Sequence, residues 1–273
     1  MKRILLALCA TAITMSSLAQ TDSTKNEKVD TIRVGGMIII KKKGKDGDDE
    51  KKIQISNNKK KRTNVSTNWW IVDIGFANVN DNTNYPAAVS SGFLAPGIGK
   101  DQLELRTGKS VNVNIWAFMQ RLNIVKHVVN LKYGLGVELN NYHFDDERVR
   151  LQKNPTTIDL GHSADLKKNK LAADYVTVPV MLNFNFTPRH KKGFGFSAGV
   201  SGGYLYSARQ KIKNNDDKDK LHDDFDLKKW KVSYIGEVNL GPVRLYGSYA
   251  TQNMWEKGLD QTPYTVGLRL SNW

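Results

Sequence analysis

Cysteine is nearly absent. The only one in the 273 residues is Cys9, and it lies in a segment with the marks of a secretory signal. Lys2 and Arg3 form the basic start, Ile4–Met15 is mostly apolar, and Ser17-Leu18-Ala19 is a small-x-small cleavage site. Leu8 stands before Cys9 where lipidation wants a small residue, and too little apolar sequence precedes it, so no lipoprotein is expected. Cleavage after Ala19 leaves a mature chain that starts at Gln20 without cysteine, which excludes a disulfide framework and a thiol nucleophile. Beyond the signal no window approaches the ~18 consecutive apolar residues of a helical membrane span. No GxGxxG, Walker A, zinc-ligand or catalytic-triad spacing occurs, so no cofactor and no metal site are expected.

What the chain has in excess is positive charge, a formal net +14. An exported chain does not meet nucleic acid, so the expected counter-charges are anionic lipid and lipopolysaccharide phosphates. The mean hydropathy of -0.49 does not exclude a membrane protein, because a barrel's lumen face and loops dilute its apolar band. Thr21–Ser66 is polar and carries the runs Lys41–Lys52 and Lys59–Arg62, which read as a flexible periplasmic linker, mostly disordered. Thr31–Ile40 and Ile53-Gln54-Ile55 interrupt it. They either pair as a small hairpin across the charged run or form a tail with transient strand character.

From Asn68 onward the pattern changes. Val129–Tyr142 alternates strictly: Val129, Leu131, Tyr133, Leu135, Val137 and Leu139 on one face, and Asn130, Lys132, Gly134, Gly136, Glu138 and Asn140 on the other. A period of two is a strand. Its length exceeds the ~5–6 residues of a soluble strand and suits the ~9–11 of a tilted membrane-spanning one. Seven further segments repeat it: Trp69–Ala77, Val111–Arg121, Asp174–Phe186, Phe194–Ala208, Trp230–Leu240, Val243–Thr251 and Tyr264–Leu270. In the second of these Val113, Ile115, Ala117 and Met119 are expected on one face, and Asn112, Asn114, Trp116, Phe118 and Gln120 on the other. The connections run long, short, long, short, long, short, long, the asymmetry of extracellular loops and periplasmic turns.

The fold expected is therefore an eight-stranded antiparallel up-and-down transmembrane β-barrel. Residues 1–19 form the signal, 20–66 a periplasmic tail and 67–273 the barrel in the outer membrane. A lipocalin-like soluble barrel is the rival, but it would turn the apolar face inward and does not need aromatic bands. Trp69, Trp70, Phe186, Phe194 and Trp273 are expected at the periplasmic interface. Tyr142, Tyr175, Tyr204, Tyr206, Trp230, Tyr249 and Tyr264 are expected at the outer one, since amphipathic rings favour headgroup depth. Eight strands leave an interior just wide enough for side chains. Asp73, Lys132, Glu138, Lys231, Glu237, Arg244 and Arg269 fall on the inward face, and their mixed signs imply an ion-pair network, since buried charges must be paired. It would serve as a structural plug or as a gated ion path.

Three stretches carry a family resemblance. YVTVPVMLNFN (Tyr175–Asn185) resembles the YLEIPLLLKY strand of the Bacteroidota outer-membrane β-barrel family that includes PorT, and GLGVELNNYHF (Gly134–Phe144) resembles that family's preceding strand. Pro179 is otherwise hard to place in a central strand, because it lacks the ladder N–H. YTVGLRL (Tyr264–Leu270) resembles a barrel-closing strand of the kind the barrel-assembly machinery reads. It departs in running on through Ser271-Asn272-Trp273, which puts the terminal aromatic out of phase. The resemblance covers Asn68–Trp273. It implies an outer-membrane barrel and, through PorT, an accessory part in type IX secretion, with a periplasmic or secretion-apparatus protein as partner. No functional residue carries over.

The residues that could carry catalysis or hold a metal are few. Outer-membrane lipid A deacylases use a His-Ser pair at the lipid-facing surface. His162-Ser163 falls in a long loop, and no serine obviously faces His143 near the end of its strand. His127, His190 and His222 read as surface residues. Asp216, Asp217, Asp219, Asp223 and Asp224 could hold a divalent cation, but they match no EF-hand spacing and alternate with lysines, so a solvated loop is expected. The function expected is a non-enzymatic structural or surface-interaction protein of the cell envelope. A secretion accessory and a lipid-modifying enzyme are the alternatives.

Overall fold

The computed structural model describes residues 30–34, 37–43, 49–54, 63–161, 167–188, 193–214 and 218–270. The expected signal with Cys9 and its expected cleavage site, His162-Ser163, His190, Asp216, Asp217 and Trp273 lie outside the described residues. The chain divides into two compact units, Met1–Arg62 and Thr63–Trp273.

Within the first unit, β1 (Asp30–Val34), β2 (Met37–Lys43) and β3 (Asp49–Gln54) form an antiparallel sheet in the order β1-β2-β3. Ile38 pairs with Gln54 and Ile39 with Ile53. Of the two readings open for this segment, the structure takes the hairpin across the charged run, and it adds β1 on the other edge of β2.

The second unit is a closed barrel. Its staves are β4 (Val65–Asp81), β5 (Val111–Val125), β6 (Val129–His143), β9 (Lys168–Asn185), β10 (Phe194–Lys213), β12 (Trp230–Leu240), β13 (Val243–Ala250) and β14 (Gln261–Leu270). Each pairs antiparallel with the next, and β14 returns to β4, giving the eight-strand ring. β4 opens at Val65, before the expected barrel start at residue 67. The short connections are 126–128, 186–193 and 241–242, and the long ones are 82–110, 144–167, 214–229 and 251–260. Lys126 and His127 both have positive φ, the two-residue turn whose twist matches the flanking strands. β7 (Val149–Leu151) and β8 (Ile158–Leu160) form a hairpin in the second long loop. β11 (Lys218–His222) folds back on the outer part of β10.

Alternation runs through all 15 residues of β6, with even-numbered side chains inside and odd-numbered ones outside. Lipid-facing Ile74, Phe76, Val176, Val178, Val180, Leu182, Val200, Val232, Val238, Leu245, Val266 and Leu268 are exposed, as an apolar band in contact with acyl chains requires. The expected faces of β5 hold only as far as Trp116. Between Trp116 and Phe118 the β5–β6 register slips, because Ala117 bulges. A bulge inserts one extra residue and reverses the phase beyond it. Met119 therefore points inward and is fully buried, while Phe118 turns outward and packs on Trp69 at 5.9 Å. Gln120 turns outward with it and accepts from the Tyr133 hydroxyl at 2.6 Å.

Pro179 has a local reason. The β6–β9 ladder skips the positions between Tyr133↔Val180 and Gly136↔Thr177, where Pro179 stands. A residue without an N–H is tolerated where the ladder is already open.

Candidate functional site

The lower half of the lumen is a charged, hydrogen-bonded filling. Arg269 grips Asp73 through Nε and Nη2, both at 2.6 Å, and also pairs with Glu237. Lys132 pairs with the same Glu237, and Lys231 with Glu138. Asp73 further accepts from Trp116 Nε1 at 2.7 Å and Asn114 Nδ2 at 3.3 Å. Asn112 donates to Asn114 and Asn140, and the Tyr246 hydroxyl donates to Asn112. Asn130 donates to Asn183, and Asn183 donates to Ser197 beside Glu237. The chain thus brings Asp73, Lys132, Glu138, Lys231, Glu237 and Arg269 together, and Arg244 on β13 faces the same interior. Between Asn114, Trp116, Glu138, Met181 and Glu237 a void of about 20 Å³ remains, roughly the space of one water.

The upper half is apolar, which the sequence did not announce. Tyr142, Leu171, Ala173, Tyr175, Leu205 and Ala208 of the wall meet Phe93, Leu94, Ile98, Leu103, Val149, Leu151, Ile158, Phe225, Leu227, Trp255 and Leu259 of the loops in one buried cluster. The four long loops are a cap on this core. In the first, α1 (Tyr85–Ser90) is capped by the Asn84 side chain, which accepts from Ala87 N, and α2 (Lys100–Leu103) follows. Backbone bonds of 2.8–2.9 Å tie Phe93 and Ala95 to Ile158, and Leu227 bridges to Trp255. Asp81, at the rim, accepts from the Tyr85 hydroxyl at 2.6 Å, from Gln261 at 3.0 Å and from Thr83 N at 2.9 Å. Burial pushes its carboxyl up, but these bonds hold it below the usual carboxylate range.

A family model described as an outer membrane protein beta-barrel domain matches residues 70–251, from β4 through β13. The chain belongs to this family. Among solved structures, Ail, the attachment invasion locus protein of Yersinia pestis, is similar with a TM-score of 0.30 and 8% identity over 75% of this chain and 98% of Ail. No curated protein matches.

As an outer-membrane barrel the chain has its band edged by aromatics. Toward the short turns, Trp69, Trp70, Phe186 and Phe194 are exposed. Toward the loops, Tyr204, Tyr206, Trp230 and Tyr249 are exposed, and Tyr264 is partly covered. Tyr234, 63% exposed, joins this outer row, paired with Tyr249 and reached by the same alternation. Tyr142 and Tyr175 are corrections to the expected outer girdle. Both lie inside, 3% and 2% exposed, because Tyr142 shares the even-numbered face of β6 and Tyr175 the odd-numbered face of β9. They need no lipid headgroup because the capped core takes them.

The remaining candidates separate. The buried Ser110 hydroxyl accepts from the backbone N of His143 at 2.9 Å, so the two are neighbours through the main chain. Asp224 pairs with Lys229 at 2.5 Å and Asp226 with Lys257 at 3.0 Å, so acidic groups of the third loop are held by lysines. Among the described residues no three His, Cys, Asp or Glu side chains converge as metal ligands.

Proposed function

We propose that this barrel is a non-enzymatic structural and surface-interaction protein of the outer membrane. It anchors a preformed cap in the envelope and conducts nothing. The observation that supports the reading is the double closure, with ion pairs filling the lower lumen and an apolar core uniting the four loops above it. Loop surfaces held on a common core are preorganised, which lowers the ordering entropy of binding a partner. A plug with no apolar lid would leave the gated-path reading standing. Reconstitution into planar bilayers tests it: the expected result is no conductance steps, and steady single-channel currents abolished by Glu237→Gln would overturn it.

The likeness of Tyr175–Asn185 to the PorT-containing family supports a second reading, an accessory of protein secretion. Crosslinked pull-down from native outer membranes separates the two. Recovery of secretion components would favour the accessory, and recovery of the barrel alone or with abundant lipoproteins favours the structural role. Lipid A left unchanged by deletion of the gene would count against any lipid-modifying activity.

A further inference from the structure

The outer ends of β6, β9, β10 and β11 run past the apolar band, and their outward faces carry a row of lysines with His143 at its β6 edge. β10 has 20 residues and β9 18, well beyond the ~9–11 that cross a bilayer. Along the extensions Tyr142, Asn169, Leu171 and Gln210 are buried inside, so His143, Lys168, Lys170, Lys211 and Lys213 point out. In register, His143 stands opposite Lys170, Lys170 opposite Lys211, and Lys211 opposite Lys220. One step further out, Lys168 stands opposite Lys213. Like charges directly opposite on one sheet face oppose pairing. His143 is neutral at pH 7, so the charges in line are Lys170, Lys211 and Lys220, with Lys168 facing Lys213, and counter-charge from outside favours that arrangement.

The arc opens at its edge into a cavity of about 330 Å³ lined by Arg106, Lys109, His143, Phe144, Glu147, Lys167, Lys168 and Asn169. Its one carboxylate, Glu147, is taken by Arg106 at 3.0 Å, and Arg106 also holds Asp145 at 2.6 Å. Asp174, lower on the outward face, is taken by Arg209. Among the described residues no carboxylate pairs with Lys109, Lys167 or Lys168. The surplus charge is felt locally. Burial first, then Lys170, Lys168, Lys109 and Arg106, push His143 down to about 4. Burial, then Lys168, Lys211 and Arg209, push Lys170 down to about 8.

We propose that this arc binds the phosphate groups of an outer-leaflet glycolipid, with the cavity beside His143 seating one phosphate. Position decides for a lipid. The arc lies on the outward wall directly above lipid-facing Val176, Tyr204 and Tyr206, where headgroup phosphates of the surrounding leaflet meet the protein. Lysines act there as point charges on phosphate, and the polar Asn169 amide is already committed to Val149 O inside. This inference rests on the outer-membrane placement alone. It can fail while the non-conducting reading stands, and the reverse.

The test uses the full-length protein in phosphatidylcholine nanodiscs, with lipid A, dephosphorylated lipid A or inorganic phosphate as probes. Lipid A retained by the protein is measured by native mass spectrometry. The expected result is retention of lipid A and not of the dephosphorylated form. Retention should weaken about fivefold for each lysine lost among Lys168→Gln, Lys170→Gln, Lys211→Gln and Lys213→Gln. The corresponding Lys→Arg variants, which keep the charge, should retain it, as should Lys228→Gln on the third loop. Heat-modifiable mobility reports that each variant is folded. Equal retention of dephosphorylated lipid A, or no loss in a folded four-lysine variant, would overturn the proposal. Displacement of lipid A by inorganic phosphate at matched phosphate concentration would also overturn it, by showing a site for a free anion.

Discussion

Arg269 on the last strand and Asp73 on the first stand opposite each other in register and are joined by two hydrogen bonds of 2.6 Å. The pair sits on the seam where the ring closes, fully buried on the Asp73 side. Breaking a buried pair by removing one partner costs about 3–5 kcal/mol, and here Arg269 would keep only Glu237 while the Trp116 and Asn114 donors lose their acceptor. Asp73→Ala is expected to lower the urea stability of the refolded barrel by that amount. It should also blue- or red-shift the emission of Trp116, whose indole N–H donates to Asp73. Asp73→Leu combined with Arg269→Met, which removes both charges, should recover much of the loss. A double variant as unstable as the single one would show that the seam needs charge itself.

The same seam requires two glycines. Gly75 and Gly267 are cross-strand partners. A Cβ on Gly267 would come within 2.3 Å of the Ile74 carbonyl oxygen, and one on Gly75 within 2.4 Å of the Val266 carbonyl oxygen. Both obstacles are backbone, which cannot swing aside as a side chain can. Gly267→Val is therefore expected to block closure. Its SDS-gel mobility should be the same boiled and unboiled, where the wild type shows a folded form of different mobility.

The barrel was legible in the sequence because its signal is local. Each strand shows period two over a span the bilayer fixes, and the loop lengths alternate. The inward charges were readable for the same reason: Lys132 and Glu138 on β6 or Lys231 and Glu237 on β12 need only parity. Who pairs with whom was not readable. Lys132 meets Glu237 rather than its strand neighbour Glu138, and that choice is set by tilt across the lumen. Parity also fails past a bulge, which is why Phe118 and Met119 exchanged faces. The cap was the larger miss. Its apolar residues, such as Phe93-Leu94, Ile158, Phe225 and Met254-Trp255, are spread in ones and twos through polar loops without a period, and they become a core only when four loops meet.

Trp255 is the central test of that cap. It is buried, meets Phe93 edge-on at 6.0 Å, and donates from Nε1 to Gln261 Oε1 at 3.0 Å. Truncating a large buried aromatic costs about 3–5 kcal/mol. Here the loss should fall on the cap, because the wall below is held by its own ladder and ion pairs. Trp255→Ala is expected to make the long loops sensitive to protease added to whole cells while heat-modifiable mobility persists. Loss of the folded band instead would mean that cap and wall fold as one unit.

The acid sensitivity of the protein between pH 6.5 and about 4 should trace to His143. Its folded value of about 4 lies below the ordinary 6.5, so the unfolded chain takes up the proton first as pH falls. Between those values the unfolded state binds more protons, and stability must decline with falling pH across that window and be flat with respect to this group above it. Asp81 and Asp146 act elsewhere. Both are held below the ordinary carboxylate value of 3.8, so their contribution is lost only as pH falls past that value. His143→Gln should therefore remove slope between pH 6.5 and 4 and leave the steeper loss below it. The cations that depress His143 are those of the proposed phosphate site, so phosphorylated lipid A should raise its titration midpoint and shift the window upward. Chemical-shift titration of a His143 ring proton, with and without lipid A in the nanodisc, would read both effects. An unchanged midpoint in lipid A would separate the histidine from the site.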